Sequence, residues 1–281
     1  MNITFKTDAK INLSLDITGR RADGYHLVNT VMQSVLLQDK ITVEKSDTIT
    51  VSTNVAGINN EDNIAYKAAV FFFQKAGISG GANIVIEKNI PMSAGLGGGS
   101  GNAAGVLIAL NKIYGNILSY AELIETGKKI GADVPYFFYG GTAYATGIGD
   151  EIEKIEEMPE CYIVIAKNGE KKSTKEMYDI IDNAENSVHP DTKNIINAVK
   201  HGDYNKLCGL VGNSFSSVWD FSKLSDIMYK CGADAVSLSG SGPSVFALFS
   251  NKGSALNCLG EFNKMNIEAY FTKPTKKSVH F

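Results

Sequence analysis

Five glycines lie close together in the segment PMSAGLGGGSGNAA, residues 91–104, which carries no charged side chain. They are Gly95, Gly97, Gly98, Gly99 and Gly101. The segment follows a strand-like run at residues 82–88 and precedes an apolar helical run at residues 103–114. Glycines permit positive φ angles and close approach of a ligand, and the first turn of a helix offers unpaired N–H groups to an anion. The pattern therefore predicts a loop that binds phosphate through its backbone.

Two familiar phosphate loops do not account for this segment well. A Walker loop ends in Gly-Lys-Ser or Gly-Lys-Thr, whereas Gly99 is followed here by Ser100 and Gly101. The stretch from Gly99 to Ala104 satisfies G-x-G-x-x-A. A dinucleotide fingerprint, however, follows its strand directly, and about ten residues intervene here. A glycine-rich surface turn remains the alternative, although the apolar helix that follows makes it less favoured.

A polar face on the strand predicted at residues 9–17 supplies further candidates. The residues AKINLSLDI alternate, so that the apolar side chains point one way and Lys10, Asn12, Ser14 and Asp16 point the other. Such a polar face is commonly solvated in a half-buried strand. On periodicity alone, solvation is the simpler interpretation of these four residues.

Asp133 lies in the segment GADVPYFFY, residues 131–139, two residues before Pro135. Proline favours the first turn of a helix, and an aspartate just before it is typical of a helix N-cap. Considered alone, Asp133 is therefore interpreted as a cap.

Two further segments combine turn signals with polar or aromatic residues. In RRADGYHLVNT, residues 20–30, the turn signal Asp23-Gly24 precedes Tyr25-His26, a pair that would also fit a half-buried loop. The segment SGSGPS, residues 239–244, lies between two apolar strand-like runs and would also fit a tight hairpin turn. Neither segment establishes a ligand site by itself.

Taken together, these segments resemble the motifs of the GHMP kinases, the family of galactokinase, homoserine kinase and mevalonate kinase. Residues 91–104 are similar to the family's ATP-binding motif, which is close to P-x-x-x-G-L-G-[GS]-S-S-A/N-A. Residues 238–246 match its third motif, L-S-G-S-G-P-x-x-F, completely. The run at residues 9–13 resembles A-K-I/V-N-L, and residues 20–30 resemble R-x-D-G-Y-H-x-L, with Ala22 where proline is usual. The last signature is specific to one branch, whose substrate is 4-diphosphocytidyl-2-C-methyl-D-erythritol.

The resemblance implies catalytic and substrate-binding roles for the polar candidates. Asp133 would be the general base that accepts the proton of the substrate hydroxyl. Lys10 would stabilise the charge of Asp133 and of the transferring group, and Asn12 would help position the hydroxyl. Tyr25 would stack on the cytosine of the substrate, and His26 would hydrogen-bond its edge.

The resemblance also implies an ATP site. Loop N–H groups and the Ser100 hydroxyl would hold the ATP phosphates, and Mg²⁺ is expected with them, with its protein ligands unknown. Ser239 and Gly240 would reach the substrate side and steady the loop. The implied ATP-binding residues are Pro91, Met92, Ser93, Ala94, Gly95, Leu96, Gly97, Gly98, Gly99, Ser100 and Gly101.

The implied reaction transfers the γ-phosphoryl group of ATP to the 2-hydroxyl of 4-diphosphocytidyl-2-C-methyl-D-erythritol, in non-mevalonate isoprenoid biosynthesis. A GHMP kinase for another small alcohol, such as homoserine or a mevalonate derivative, remains open, although Tyr25-His26 argues against it. A catalytically silent nucleotide-binding relative also remains open, although Lys10 and Asp133 argue against it.

Three departures from the family pattern concern substrate contacts and the loop. Gly101 replaces the second serine of the ATP motif. Residues 167–178, KNGEKKSTKEMY, keep S-T-K-E-x-Y but lack the proline that normally precedes it. Residues 210–215, LVGNSF, lack an expected acidic residue. The last two departures put the polar contacts of the substrate with the C-terminal half in doubt.

The composition bounds the class of protein. The chain has 281 residues, of which 44% are hydrophobic and 20% charged, as in soluble globular proteins. A net charge of −3 with scattered basic residues argues against nucleic acid as a partner, and no apolar run reaches membrane-spanning length. The spacing of the four cysteines and four histidines favours reduced thiols and no zinc site. With no apolar secretory signal in the first residues, we expect a cytoplasmic monomer or homodimer with small-molecule partners only.

The elements that must position these residues predict an α+β protein with the GHMP kinase fold. An acidic, polar stretch near residues 151–160 places a boundary between domains 1–156 and 157–281. By resemblance, the first domain is similar to ribosomal protein S5 domain 2. The second alternates strands with helix pairs, which favours a ferredoxin-like layer. Predicted strands in the first domain include residues 31–37 and 40–44.

Overall fold

Two long antiparallel strands near the start of the chain form the frame of the first sheet. The computed structural model describes residues 1–58, 60–167, 169, 173–184 and 187–281. The strands are β1 (Asn2–Arg20), β2 (His26–Ser46), β3 (Thr50–Thr53), β4 (Gly81–Glu87), β5 (Thr142–Thr146), β6 (Glu151–Lys154), β7 (Tyr162–Lys167), β8 (Gly212–Asn213), β9 (Ala235–Leu238), β10 (Ser244–Phe249), β11 (Ala269–Thr272) and β12 (Val279–His280). The helices are α1 (Ile64–Ala76), α2 (Gly98–Ile113), α3 (Tyr120–Ile130), α4 (Tyr136–Tyr139), α5 (Thr174–Ile181), α6 (Thr192–Lys200), α7 (Tyr204–Cys208), α8 (Ser222–Lys230) and α9 (Lys252–Lys264). None of the helices in the described part of the chain combines the length and apolar character needed to cross a membrane.

β1 and β2 pair along nearly their whole length. The pairing runs from Asn2 opposite Glu44 to Arg20 opposite His26, so the two strands predicted at residues 31–37 and 40–44 are one element. One of three register shifts in this ladder lies between Asn12 and Ser14. Such bulges bend a strand and redirect its side chains. The bulge therefore lies within the stretch of β1 that carries the candidate polar residues.

The middle of β1 is buried on both faces. Ile11 and Leu13 are fully buried, as the alternation predicts. Lys10, Asn12 and Ser14, on the opposite face, are each no more than 3% exposed. Solvation is therefore the wrong interpretation for these three residues, whereas Asp16 is partly exposed. The three buried side chains need partners inside the protein.

The first sheet has the strand order β12-β1-β2-β4-β3, with β5 and β6 joined to β2 and with β8 parallel to β1. Helices α1, α2 and α3 pack on one face of this sheet. Their shared core includes Phe72 of α1, Leu107 of α2, Leu123 of α3 and Ile84 of β4. The helix that follows the glycine loop is thus anchored by its own apolar side chains.

The second sheet has the antiparallel strand order β11-β7-β10-β9, which numbers 4-1-3-2 in chain order and is the predicted ferredoxin-like arrangement. Helices α8 and α9 cover it with residues such as Met228 and Phe262. Two short strands from this half, β8 and β12, pair with β1 of the first sheet. The boundary at residues 156–157 stays a prediction, since both halves contribute strands to one sheet.

α2 begins earlier than the apolar run from residue 103 indicates. Its first residue is Gly98, and Gly97 precedes it in the left-handed region with φ 69°. Gly101 lies within the helix, where an added Cβ would be 3.1 Å from the Phe137 ring and 3.3 Å from the Asp8 carbonyl oxygen. Several glycines predicted to form a loop therefore form the first turns of a helix that packs closely on β1.

The packing of α2 on β1 gives a stability prediction. A Cβ at Gly105 would lie 2.2 Å from Cε2 of the buried Phe5 ring. Gly105→Ala should therefore lower the free energy of unfolding by about 1–3 kcal/mol through overpacking. Gly260→Ala on α9 is the matched control, because an added Cβ there meets nothing within 4 Å. It should raise stability by about 0.5–1 kcal/mol. Urea titration of both variants measures the difference, and equal effects would contradict the tight contact.

Candidate active site

The buried side chains of Lys10 and Asn12 lie at the centre of a hydrogen-bond network. Asn12 Oδ1 accepts from the Lys10 ammonium at 2.7 Å and from the Gly240 N–H at 2.8 Å. Asn12 Nδ2 donates to Thr30 Oγ1 at 2.8 Å, and that hydroxyl donates to the Ser14 carbonyl at 2.6 Å. The carboxamide is thus held at both ends, which fixes its orientation and that of the ammonium.

The glycine loop is packed between β1 and the turn at residues 239–242. The Lys10 N–H donates to the Leu96 carbonyl at 2.9 Å, and Ser239 Oγ donates to the Gly95 carbonyl at 3.0 Å. An added Cβ at Gly95 would lie 2.2 Å from the Ser239 carbonyl oxygen. One at Gly97 would lie 2.9 Å from Lys10 Cγ. Both glycines have positive φ, so backbone conformation and close approach require glycine at each position.

A second buried ion pair supports the start of α2. Lys88 and Asp39 form a salt bridge with side chains 7% and 0% exposed. Asp39 Oδ1 also accepts from the N–H groups of Asn89 and Ile90, at 2.8 and 2.9 Å. An added Cβ at Gly98 would lie 3.2 Å from Lys88 Nζ, so a cation lies beside the first turn of the helix. The carboxylate of Asp39 offsets much of this charge, and the positive end of the helix dipole favours an anion there.

The turn at residues 239–242 is held from the far side by Asn213. Asn213 is fully buried, and its Nδ2 donates to the carbonyls of Leu238 and Gly240 at 3.0 and 2.8 Å. Ser239 is also fully buried, with its hydroxyl on the loop, whereas Gly240 and Ser241 line a cavity. The turn therefore connects the glycine loop, Asn12 and the C-terminal half.

Asp133 lies beside Lys10 and caps no helix. The N-cap of α4 is Pro135, which forms no side-chain cap. Asp133 Oδ2 lies 3.6 Å from Lys10 Nζ, and the aspartate side chain is 40% exposed while that of the lysine is 4% exposed. The N-cap interpretation of Asp133 is therefore wrong. The carboxylate is instead open to a cavity, with a buried cation behind it.

Two adjoining cavities lie here, and the Lys10–Asp133 pair lines the larger of them. The larger, which we call the acceptor cavity, has a volume of about 750 Å³ and is lined by Lys10, Asn12 and Asp133. The smaller, the loop cavity, has a volume of about 310 Å³ and is lined by residues 91–100 of the glycine segment. Gly95 and Ser100 line both. A ligand on the loop would therefore be next to one in the acceptor cavity.

Tyr25 and His26 lie at the other end of the acceptor cavity. The Tyr25 side chain is largely exposed, at 60%, and both residues line the cavity. The His26 ring is stacked on Tyr178 with centroids 4.4 Å apart, and His26 Nε2 lies 2.7 Å from Asp182 Oδ1. Burial raises the pKa of the Tyr178 hydroxyl, which therefore stays protonated.

Sequence reasoning missed the contribution of α5. Thr174, Lys175, Tyr178 and Asp179 of this helix line the acceptor cavity. The first three fall in the motif S-T-K-E-x-Y, for whose residues the sequence analysis predicted no roles, and Asp179 directly follows it. Residues 167–178, which depart from the family pattern, include positions 168 and 170–172, and these four lie outside the described residues. In the loop cavity, Asn63 and Lys88 were also missed, because a helix cap and a strand end carry no signal of ligand binding.

The residues present fit a magnesium ion that is bound mainly by the nucleotide. Among the residues that the structure describes, no three His, Cys, Asp or Glu side chains lie close enough to hold a metal. Mg²⁺ commonly uses one or two carboxylates together with substrate phosphates. Asp133 and the Ser100 hydroxyl both line the acceptor cavity and are suitable donors.

The crowding at Gly97 gives a testable prediction. Gly97→Ala should lower kcat and raise the KM for ATP, because the new methyl group would press on both the Phe137 ring and Lys10. Gly115→Ala is the control, since Gly115 also has positive φ, 91°, but an added Cβ meets nothing within 4 Å. Backbone strain should cost both variants about 1–2 kcal/mol of stability. Gly97→Ala should lose more than Gly115→Ala, because its methyl group is also crowded. Steady-state kinetics and thermal melts separate the two effects, and equal kinetics would contradict the packing of this loop against Lys10.

Comparison with family models gives two matches in this chain. Residues 63–141 match the GHMP kinases N terminal domain, and residues 220–268 match the GHMP kinases C terminal domain. The first match contains the glycine loop and Asp133, and the second contains the turn that holds the loop. The two matches follow each other in chain order.

Curated relatives and solved structures agree with these matches. The 4-diphosphocytidyl-2-C-methyl-D-erythritol kinase of Alkaliphilus metalliredigens is 43% identical over 90% of each chain, and that of Clostridium tetani is 42% identical over 95% of this chain and 98% of its own. A crystal structure of 4-(cytidine 5'-diphospho)-2C-methyl-D-erythritol kinase covers 98% of this chain and 99% of its own at 29% identity, with a TM-score of 0.77. A homoserine kinase from Cytophaga hutchinsonii has a TM-score of 0.76 over 99% of this chain and 96% of its own, but at 17% identity it shows the fold alone. The chain therefore belongs to the GHMP kinase family and has its fold, and it is similar over nearly its whole length to the 4-diphosphocytidyl-2-C-methyl-D-erythritol kinases.

Proposed function

We propose that the protein transfers the γ-phosphoryl group of ATP to the 2-hydroxyl of 4-diphosphocytidyl-2-C-methyl-D-erythritol. The observation that carries the proposal is the Lys10–Asp133 pair in the acceptor cavity, which shares Gly95 and Ser100 with the loop cavity. The names of relatives at about 40% identity over most of the chain support the substrate. ATP would bind at the loop cavity and the alcohol in the acceptor cavity.

The proposed chemistry assigns the proton to Asp133. Its carboxylate is open to the acceptor cavity and would accept the proton of the attacking hydroxyl. Lys10 is the cation that would stabilise negative charge on the transferring group, and its burial strengthens this interaction. Asn12 already accepts from Lys10 and Gly240, so its role is to hold the lysine and the turn in place.

Loop groups and a magnesium ion would neutralise the phosphates. The N–H groups at the start of α2, Lys88 and the Ser100 hydroxyl surround the loop cavity or its border. When bound with the nucleotide, Mg²⁺ would supply positive charge that offsets the negative charge of the phosphates. Ser100 and Asp133 are the side chains available to it from this chain.

The far end of the acceptor cavity would bind the cytosine. Tyr25 offers an exposed ring for stacking, and His26 lines the same wall. The volume of about 750 Å³ is within the range of small-molecule sites and exceeds what a small amino alcohol needs. These features favour a cytidine-bearing substrate over homoserine or mevalonate, whose kinases share the fold with this chain at 16–17% identity.

Loss of the Asp133 carboxylate should lower the rate of catalysis and leave substrate binding intact. Asp133→Asn should lower kcat by roughly 10²- to 10⁴-fold while both substrates still bind, because general-base assistance acts in the transition state. Lys10→Met should also lower kcat, and the double variant should lose less than the sum of the two effects. Asp191→Asn, at the observed N-cap of α6, is the control and should leave kcat unchanged. Kinetics with calorimetric binding make the test, and near-normal turnover of Asp133→Asn would refute the assignment.

Removal of the exposed Tyr25 ring should affect binding of the cytidine substrate and not binding of ATP. Tyr25→Ala should weaken binding of the cytidine substrate roughly ten- to hundredfold, since stacking on a base contributes about 1–3 kcal/mol. The KM for ATP should hardly change. Tyr229→Ala is the control, because Tyr229 is 54% exposed on α8 and does not line the acceptor cavity.

A coupled assay with 4-diphosphocytidyl-2-C-methyl-D-erythritol, homoserine and mevalonate as parallel substrates tests the proposed function itself. We expect turnover with the first alone. Turnover of homoserine or mevalonate, with none of the cytidine substrate, would assign the protein to another branch.

A further inference from the structure

Asp182, which no functional assignment above includes, joins the two halves of the protein at the cytosine end of the acceptor cavity. It is the C-cap of α5. Its Oδ2 accepts from Arg20 Nη1 at 3.0 Å, and its Oδ1 lies 2.7 Å from His26 Nε2. The side chain is 30% exposed, whereas the His26 side chain is only 7% exposed. The contact with the histidine is therefore the better shielded of the two.

The hydrogen bond between Asp182 and His26 has a defined direction. The salt bridge with Arg20 requires an ionised carboxylate, and an ionised carboxylate only accepts hydrogen bonds. Nε2 of His26 must therefore carry the proton. In a neutral imidazole the other nitrogen, Nδ1, is then an acceptor, because the partner of one ring nitrogen sets the state of the other.

Nδ1 of His26 is left open to a ligand. Among the described residues, none forms a hydrogen bond with this nitrogen. The nitrogen is also absent from the set of fully buried polar atoms without a partner, so it is accessible. The ring is held on one face by Tyr178 at 4.4 Å and lines the acceptor cavity beside Tyr25. The ring is fixed, with one nitrogen hydrogen-bonded to Asp182 and the other accessible. It is therefore suited to hydrogen-bonding the edge of a base.

We propose that Asp182 is a specificity-determining residue that holds His26 as the Nε2–H tautomer, so that Nδ1 accepts from the exocyclic amino group of cytosine. Cytosine carries an amino donor at position 4, where uracil carries a carbonyl acceptor. An acceptor at Nδ1 forms a hydrogen bond with the amino group of cytosine. Opposite the carbonyl of uracil, which is also an acceptor, it forms none. This inference rests on the proposed binding of a cytidine substrate, which it extends from a stacking site to a choice between two pyrimidines.

Nitrogen NMR of histidine-labelled protein tests the tautomer without any substrate. In spectra recorded at alkaline pH, His26 should show a protonated Nε2 and an unprotonated Nδ1. Its signals are assigned by their loss in His26→Gln. In Asp182→Ala the two tautomers should both be populated. A protonated Nδ1 in the unaltered protein would overturn the proposal.

Calorimetric titration with CDP and with UDP tests the consequence for binding. The unaltered protein should prefer CDP. In Asp182→Leu and Asp182→Ala, which both remove the acceptor, the ratio of the two dissociation constants should fall roughly three- to tenfold, the range of one hydrogen bond. Arg20→Gln is the matched control, because it removes the partner of Oδ2 and leaves the contact of Oδ1 with His26. Its CDP-to-UDP ratio should stay within about twofold of the unaltered protein, less than one such bond contributes.

The outcomes distinguish failure of this inference from failure of the proposed function. A protein that phosphorylates the cytidine substrate, but whose Asp182 variants keep the full CDP preference, would refute the role of Asp182 alone. A protein that binds CDP no better than UDP in any form would refute both the cytosine site and this inference. An equal loss of preference in Arg20→Gln would show that the salt bridge, and not the tautomer, sets the selectivity.

Discussion

The carboxamide of Asn12 is the interaction on which the rest of the site depends. A single oxygen accepts from the Lys10 ammonium and from the Gly240 N–H, at 2.7 and 2.8 Å. It thereby joins the strand that carries the lysine to the turn that supports the glycine loop, and Asn213 ties that turn to the C-terminal half. Because all these groups are buried, each needs its partner, and the loss of one would leave another unsatisfied.

This constraint explains why so much of the surrounding structure is built from small residues. The glycine loop must lie against β1 and the turn closely enough for the Lys10 N–H to reach the Leu96 carbonyl and for Ser239 to reach Gly95. No Cβ fits at Gly95 or Gly97 under those contacts. The same packing places the start of α2, with its free N–H groups, at the border of the cavity that contains Asp133. The proposed anion site and the position of Asp133 are thus consequences of one arrangement.

The sequence predicted the components of the site better than their connections. The glycine cluster, Lys10, Asn12 and Asp133 were predicted as site residues because they fall in local motifs, and the structure places them close together. The period-two alternation of β1 could not show that its polar face is covered, since the covering segments lie near residues 96 and 240. The sequence also could not show that α2 starts at Gly98, because glycine is a poor helix former. Tertiary contacts with Phe137 and β1 override that preference. The contact between His26 and Asp182 joins residues 156 positions apart and has no local signature.

Phosphorus NMR of the product formed from ATP and 4-diphosphocytidyl-2-C-methyl-D-erythritol tests the central claim most directly. Carbon 2 of the erythritol bears the methyl group and no hydrogen, so a phosphate ester at the 2-hydroxyl has no proton on the adjoining carbon to couple with. The account predicts ADP and one new phosphomonoester resonance that stays a singlet without proton decoupling. A new resonance split by carbon-bound protons would show that the site directs phosphate to a different hydroxyl. ADP with no new ester would show that the cavities do not bring the two substrates together.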